Sequence, residues 1–96
     1  MLINKGISPG EVVTIKVVTG EEIVAKYVEE TATGHKVSRP MVLSMTQKGL
    51  GMMPMLFTVD PDSDILINSA SIVMLTVTEA DFAKQYTTSV TGIQLT

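Results

Sequence analysis

The sequence predicts a mainly β fold with a short C-terminal helix, and three observations support this prediction. Apolar side chains alternate with other residues on both sides of Gly20, at Val13, Ile15, Val17, Ile23, Ala25 and Tyr27. Such period-two alternation around a glycine is typical of a β-hairpin with one buried face. Further apolar runs follow between turn residues, and the chain then changes to helix-forming residues. Five short strands with tight turns indicate a small barrel or a sandwich.

The five strands are expected at residues 12–18, 22–29, 36–46, 65–67 and 72–77. Pro40 lies inside the third strand and cannot donate a hydrogen bond to a neighbour, so a bend, a bulge or a free edge is expected there. Arg39 has the same phase as Val37 and Met41, so either Arg39 lies near an end or the register shifts at this position. A long, bent third strand suits a small barrel.

Residues 47–64 are expected to form a long loop, because glycines and prolines interrupt them. This loop is rich in apolar side chains, among them Met52, Met53 and Met55. Methionine is flexible and polarizable, and it is common at adaptable contact surfaces. The loop is therefore expected to contact a partner or another subunit; the alternative is that it folds back over the core of its own chain.

The C-terminal helix is expected at residues 79–86, with Thr78 as its N-cap and acidic residues in its first turn. Phe82 and Tyr86 are four residues apart and are expected to dock together on the strands. The tail at residues 92–96 alternates again, a pattern that suits a further strand.

Composition limits the classes of function. A chain of 96 residues is expected to form one domain, residues 1–96, because two shorter pieces could not each bury a useful core. The absence of cysteine excludes disulfides and thiolate metal sites. Seven basic residues against ten acidic ones argue against strong binding to a phosphate backbone. No apolar run approaches the ~20 residues of a membrane span. With no secretion signal at the start, we expect a cytoplasmic protein without a membrane partner.

The order of segments is similar to that of a known family. GEEIVAKYVEE is followed by GLGMMPM, by ILINSASIVML, by an acidic helix and by TGIQL. This order resembles small Sm-like (LSm-type) proteins of tailed phages of marine cyanobacteria and of marine environmental sequences. The resemblance covers nearly the whole chain. It implies a five-stranded, strongly bent, SH3-like barrel of the Sm type that assembles into a ring, in the host cytoplasm if the protein is phage-encoded.

The resemblance also implies where subunits and ligands bind. In Sm-like rings the fourth strand of one subunit pairs with the fifth strand of the next. The candidate interface residues are therefore Ile65, Ile67, Ile72 and Met74, together with the loop residues Met52, Met53 and Met55. RNA-binding members hold bases with residues from the turn after strand two and from the corner before strand five. The corresponding candidates are His35, Lys36, Asn68 and Ser69.

His35 is the only histidine, and it lies beside Gly34. A stacking or hydrogen-bonding residue at a ring mouth is one interpretation. The interpretation favoured from the residues alone is a solvated turn residue. A single histidine without a second one or a cysteine does not indicate a metal site.

Asp60, Asp62 and Asp64 alternate like the start of a calcium loop. Such a loop needs glycine at its sixth position and glutamate at its twelfth, where this chain has Ile65 and Ser71. The stretch is therefore expected to be a solvated acidic turn. No residue pattern indicates an activated nucleophile or a phosphate cradle, so no catalytic site, metal or cofactor is expected.

The favoured hypothesis is a non-catalytic, homo-oligomeric Sm-like module that binds RNA or another single-stranded nucleic acid. The alternative is a structural or protein-interaction component of a phage-type system without a nucleic-acid ligand.

Overall fold

The computed structural model describes residues 7–95. Its elements, in chain order, are β1 (Val12–Val17), β2 (Glu22–Glu30), β3 (Gly34–Thr46), β4 (Gly49–Pro54), β5 (Asp64–Asn68), a 3-10 turn (Ser69–Ser71), β6 (Ile72–Val77) and α1 (Ala80–Leu95). The expected mainly β fold with one C-terminal helix is confirmed.

Six strands form one antiparallel sheet in the order β4-β3-β2-β1-β6, while β5 pairs with the first part of β3. One edge of β3 therefore serves two partners, because residues 34–38 pair with β5 and residues 41–46 pair with β4. Within residues 7–95, β5 pairs only with β3 and β6 only with β1. The sheet has six strands instead of the expected five, because β4 forms in the segment expected to be a loop. It is open between β5 and β6, so the expected closed barrel is not confirmed. The short 3-10 turn sends β6 away from β5 to the far side of the sheet.

Part of the expected 47–64 loop is a strand, which corrects that prediction. β4 pairs with β3 from Gly49 opposite Thr46 to Pro54 opposite Met41. Gly49 has a φ of +115°, a conformation that glycine adopts without steric cost at this tight turn. Pro54 lies at the end of the strand, where its missing N–H does not interrupt the pairing. Only residues 55–63 connect β4 to β5 as a loop.

β3 bends at a bulge, as Pro40 predicted. Two residues of β3, Arg39 and Pro40, lie opposite a single residue of β2, Ala25. Arg39 has a φ of +52°, in the left-handed region that few non-glycine residues adopt. An extra residue of this kind bends a strand and shifts its register. Of the two alternatives for Arg39, the register shift is the one observed.

The bulge moves the apolar residues of β3 from one face of the sheet to the other. Val37 precedes it and packs on the inner face, in a core with Val13, Ile15, Val17, Ile23, Ala25, Tyr27 and Ile67. Met41 follows the bulge and packs on the outer face with Val24 and Tyr86, in a second cluster that we call the outer cluster. Val37 and Met41 have the same parity in the sequence, yet the bulge places them on opposite faces.

α1 covers the outer face of the sheet. Tyr86 is only 2% exposed, and Phe82 and Val90 pack around it. The hydroxyl of Tyr86 donates to the carbonyl oxygens of Arg39, at 2.8 Å, and of Ser38, at 3.2 Å. The predicted joint docking of Phe82 and Tyr86 is confirmed, and it fixes the helix directly over the bulge.

The helix differs from its prediction at both ends. Its cap is Glu79, not Thr78, because the Glu79 carboxylate accepts from the N–H groups of Asp81, at 3.1 Å, and Phe82, at 3.0 Å. Thr78 is buried, and its hydroxyl pairs with that of Thr14 at 2.8 Å. The helix ends at Leu95 rather than at residue 86. The predicted strand at residues 92–96 is wrong for residues 92–95, which are helical, and its last residue lies outside the described range.

Candidate functional site

The four candidate nucleic-acid residues come together at one end of the sheet. Gly34 pairs with Asn68 and His35 with Ile67, so the start of β3 lies against the end of β5. The backbone N–H of Ser69 donates to the carbonyl of Thr33 at 2.9 Å. We call the surface formed by His35, Lys36, Asn68 and Ser69 the rim.

Gly34 allows this close approach of the two strands. A Cβ atom at this position would lie 2.0 Å from the carbonyl oxygen of Ile67, far inside the contact distance of any two such atoms. Only glycine fits here without moving the backbone. The rim therefore depends on a residue that carries no functional group itself.

His35 lies in β3 and is hydrogen-bonded to Tyr27, a residue of the inner core. The prediction that His35 is a solvated turn residue is therefore wrong. Its Nδ1 lies 2.8 Å from the hydroxyl of Tyr27, and the two rings are 5.7 Å apart and tilted by 47°. Burial raises the pKa of Tyr27, and the negative charges of Glu30 and Glu29 raise it further. The Tyr27 hydroxyl therefore keeps its proton at neutral pH, and its contact orients the imidazole.

Carboxylates lie beside both basic candidates. Lys36 Nζ is 3.4 Å from Glu29 Oε2, and both side chains are solvent-exposed. Glu30 is the cross-strand partner of His35. These acids offset the positive potential that phosphate groups require. The rim therefore has little net positive charge with which to attract phosphate groups.

The side-chain oxygen of Asn68 is occupied within the chain. It accepts from the N–H of Ala70 at 2.9 Å and so caps the 3-10 turn. The Ser71 hydroxyl donates to the Asn68 carbonyl at 2.8 Å. Beside the rim lies a cavity of about 230 Å³ that Tyr27, Glu29 and Glu30 help to line. The rim thus has a fixed backbone, an oriented aromatic pair and an acidic border.

The candidate interface residues of β5 and β6 divide into buried and exposed ones. Ile67 is in the core, while Ile65 and Ile72 are half-buried against it. Met74 is exposed, and so are three residues that the sequence reasoning missed, namely Leu66, Val73 and Val77. Alternation could have found Leu66, because a residue between two inward isoleucines must point outward.

The three methionines of the expected loop have different surroundings. Met52 packs in the outer cluster under α1, and Met55 packs against the inner core. For these two residues the fold-back alternative is observed, although neither is fully buried. Met53 is exposed on β4.

Within residues 7–95, no group of three or more histidine, cysteine, aspartate or glutamate side chains is placed to hold a metal ion. No helix in this part of the chain has the length and apolar character needed to cross a bilayer. No protein-family model matches the chain, and no curated protein is significantly similar to it.

Proposed function

We propose that the protein is a non-catalytic, homo-oligomeric module of the Sm-like type, in which β5 of one copy pairs with β6 of the next. The observation that carries this proposal is the open sheet, with an apolar strand at each side of the opening. An unpaired strand edge presents a row of N–H and C=O groups that another strand can pair with.

Exposed side chains strengthen the argument. Leu66 lies on β5, and Val73, Met74 and Val77 lie on β6. An edge strand with exposed apolar side chains is prone to pair with a strand of another chain. Because the two edges differ, their pairing is head-to-tail, which closes into a ring when the rotation between copies allows it and otherwise extends as a filament.

Light scattering on the full chain tests the proposal. The wild type is expected to have a mass several times the 10.3 kDa of one chain. Met74→Glu is expected to lower that mass, because it places a charge in the paired edge. Val18→Glu is the matched control, since Met74 and Val18 are both 61% exposed but Val18 lies in the β1–β2 turn. A wild-type monomer at high protein concentration contradicts the proposal.

We also propose that the assembled rim binds single-stranded RNA through base contacts. The meeting of the β2–β3 turn with the 3-10 turn, next to the oriented His35–Tyr27 pair, supports this. Because acids border the rim, its affinity for labelled oligouridine is expected to depend weakly on salt and to fall in His35→Ala. Thr87→Ala on α1 is a control outside the rim. No retention of oligouridine or oligoadenine at low salt discards this ligand, and the assembly is then a structural or protein-interaction component.

A further inference from the structure

A second surface, which includes only Ile65 of β5 and no residue of β6, has the shape and charge of a docking site. A groove of about 340 Å³ lies between the bulge of β3, the 55–63 loop and α1. Its apolar lining includes Pro40, Leu56, Phe57, Val59, Pro61 and Val90. We call it the groove. Phe57 lines the groove, yet 74% of its side chain is exposed, which leaves a large apolar area in contact with water.

The border of the groove is acidic. Asp60 lines it. Asp62 pairs with Arg39, so the only guanidinium at the groove is already neutralised by one carboxylate. Asp60 takes no part in the ion pairs of the described chain, which join Arg39 to Asp62 and Lys36 to Glu29. The groove is thus complementary to apolar side chains accompanied by a positive charge.

The turn between β3 and β4 presents such a group. Met45 and Leu50 are direct cross-strand partners, so they lie on the same face of the hairpin, and they are 77% and 52% exposed. Lys48 lies between them in the turn and is exposed. We call these three residues the tip.

The tip cannot reach the groove of its own chain. β4 runs as a regular strand from Gly49 at the tip to Pro54 at the groove. Five residue steps at ~3.3 Å hold the two roughly 17 Å apart. A tip that occupies a groove must therefore come from another copy.

We propose that the tip of one copy docks in the groove of a second copy, with Met45 and Leu50 against the apolar lining and Lys48 facing Asp60. The contact is head-to-tail, because the two surfaces differ. It shares with the proposed function the premise that copies associate. Of the candidate interface residues on β5 and β6 it involves only Ile65, which lines the groove, and it does not require the strand edges to pair.

Cysteine cross-linking tests the contact, since the chain contains no cysteine of its own. The cysteine at the tip is placed at Gln47, which lies beside Lys48 in the exposed turn, so that Lys48 is kept. Gln47→Cys and Val59→Cys proteins are mixed in equal amounts under mild oxidation. Random collision of equal amounts gives as much disulfide-linked heterodimer as the two homodimers together. The tip contact is expected to give more heterodimer than that. In a first control mixture, Glu22→Cys replaces Val59→Cys, which moves the cysteine away from the groove. In a second control, the Val59→Cys protein also carries Phe57→Ser, which removes part of the apolar lining. The excess is expected to be lost in both cases.

The cross-link is repeated with Met74→Glu in both proteins. Persistence of the excess heterodimer there supports the tip contact even if the edges do not pair. A mixture that gives no more heterodimer than the Glu22→Cys control overturns the tip contact and leaves edge pairing to be judged by the mass measurements.

Discussion

Removal of the Tyr86 hydroxyl measures how strongly α1 is fixed over the bulge. Tyr86→Phe keeps the buried ring and deletes the donor to the carbonyls of Arg39 and Ser38. Because these acceptors lie against a side chain that is 2% exposed, water cannot replace the donor without opening the helix contact. Leaving a buried acceptor unsatisfied costs about 1–3 kcal/mol. For a chain of this length each kcal/mol lowers Tm by about 4–8 °C.

Thr87→Val is the matched control, since it deletes another hydroxyl on the same helix. The Thr87 hydroxyl donates to the carbonyl of Ala83 at 2.9 Å, but on the exposed side, where water can take its place. Its effect on the free energy of unfolding is expected to stay within about 0.5 kcal/mol. Urea unfolding followed by circular dichroism compares both variants with the wild type.

The pH dependence gives a second readout for Tyr86. Burial raises the pKa of Tyr86 to about 12, whereas an unfolded tyrosine titrates near 10. Between these values the folded state holds more protons than the unfolded state, so stability falls as pH rises. The contribution of Tyr86 is fully present below about pH 10 and is lost as the pH approaches 12. The stability difference between the wild type and Tyr86→Phe is therefore expected to narrow in that window. A Tyr86→Phe variant that behaves like Thr87→Val, with a difference independent of pH, refutes this account.

Two further substitutions test the packing that positions the rim and the helix. Gly34→Ala forces a Cβ against the Ile67 carbonyl and is expected to lower the free energy of unfolding in urea by about 1–3 kcal/mol. The control is Gly51→Ala, whose Cβ has its nearest neighbour at 3.5 Å and which is expected to lower it little. Equal effects of the two variants contradict the close-approach argument. Thr78→Val leaves the partly buried Thr14 hydroxyl without its partner and is expected to cost about 1–3 kcal/mol, while the double variant with Thr14→Val is expected to recover part of that loss in a double-mutant cycle.

The sequence allowed the strands with one buried face to be predicted, because alternation is a direct consequence of packing one side of a sheet on a core. β6 is observed at residues 72–77, as predicted. β4 was missed because Gly49, Gly51 and Pro54 are local turn signals. Its strand conformation comes from pairing with β3, and such pairing outweighs local preference.

The length of α1 was underestimated for a related reason. Residues 87–95 include β-branched residues and a glycine, which have lower helix propensity. Val90 nevertheless packs on the outer cluster, so burial against the sheet extends the helix beyond what its residues prefer in isolation. A helix that ended at residue 86, as predicted, would not contribute Val90 to the lining of the groove.

For the rim, the resemblance indicated which positions meet, but not what their side chains do. The positions meet because β3 pairs with β5. The contact of His35 with Tyr27 depends on the exact cross-strand register of β2 and β3, which two irregularities shift. Pro40 indicated the first irregularity, but no residue type indicates the second, where Val28 is the extra residue of β2. The partners of His35 and Lys36 therefore could not be assigned in advance.

The bulge at Arg39 and Pro40 connects these features physically. A one-residue slip exchanges the two faces of a strand. Without it, Met41 would point into the inner core and α1 would lose the apolar surface on which Tyr86 packs. With it, one strand supplies Val37 to the inner core and Met41 to the outer cluster, and its edge serves β5 before the bulge and β4 after it. The change of partner leaves the 55–63 loop to span the junction, and there the groove forms next to Arg39. The exchange of faces, the change of strand partner and the groove thus all lie at the same extra residue.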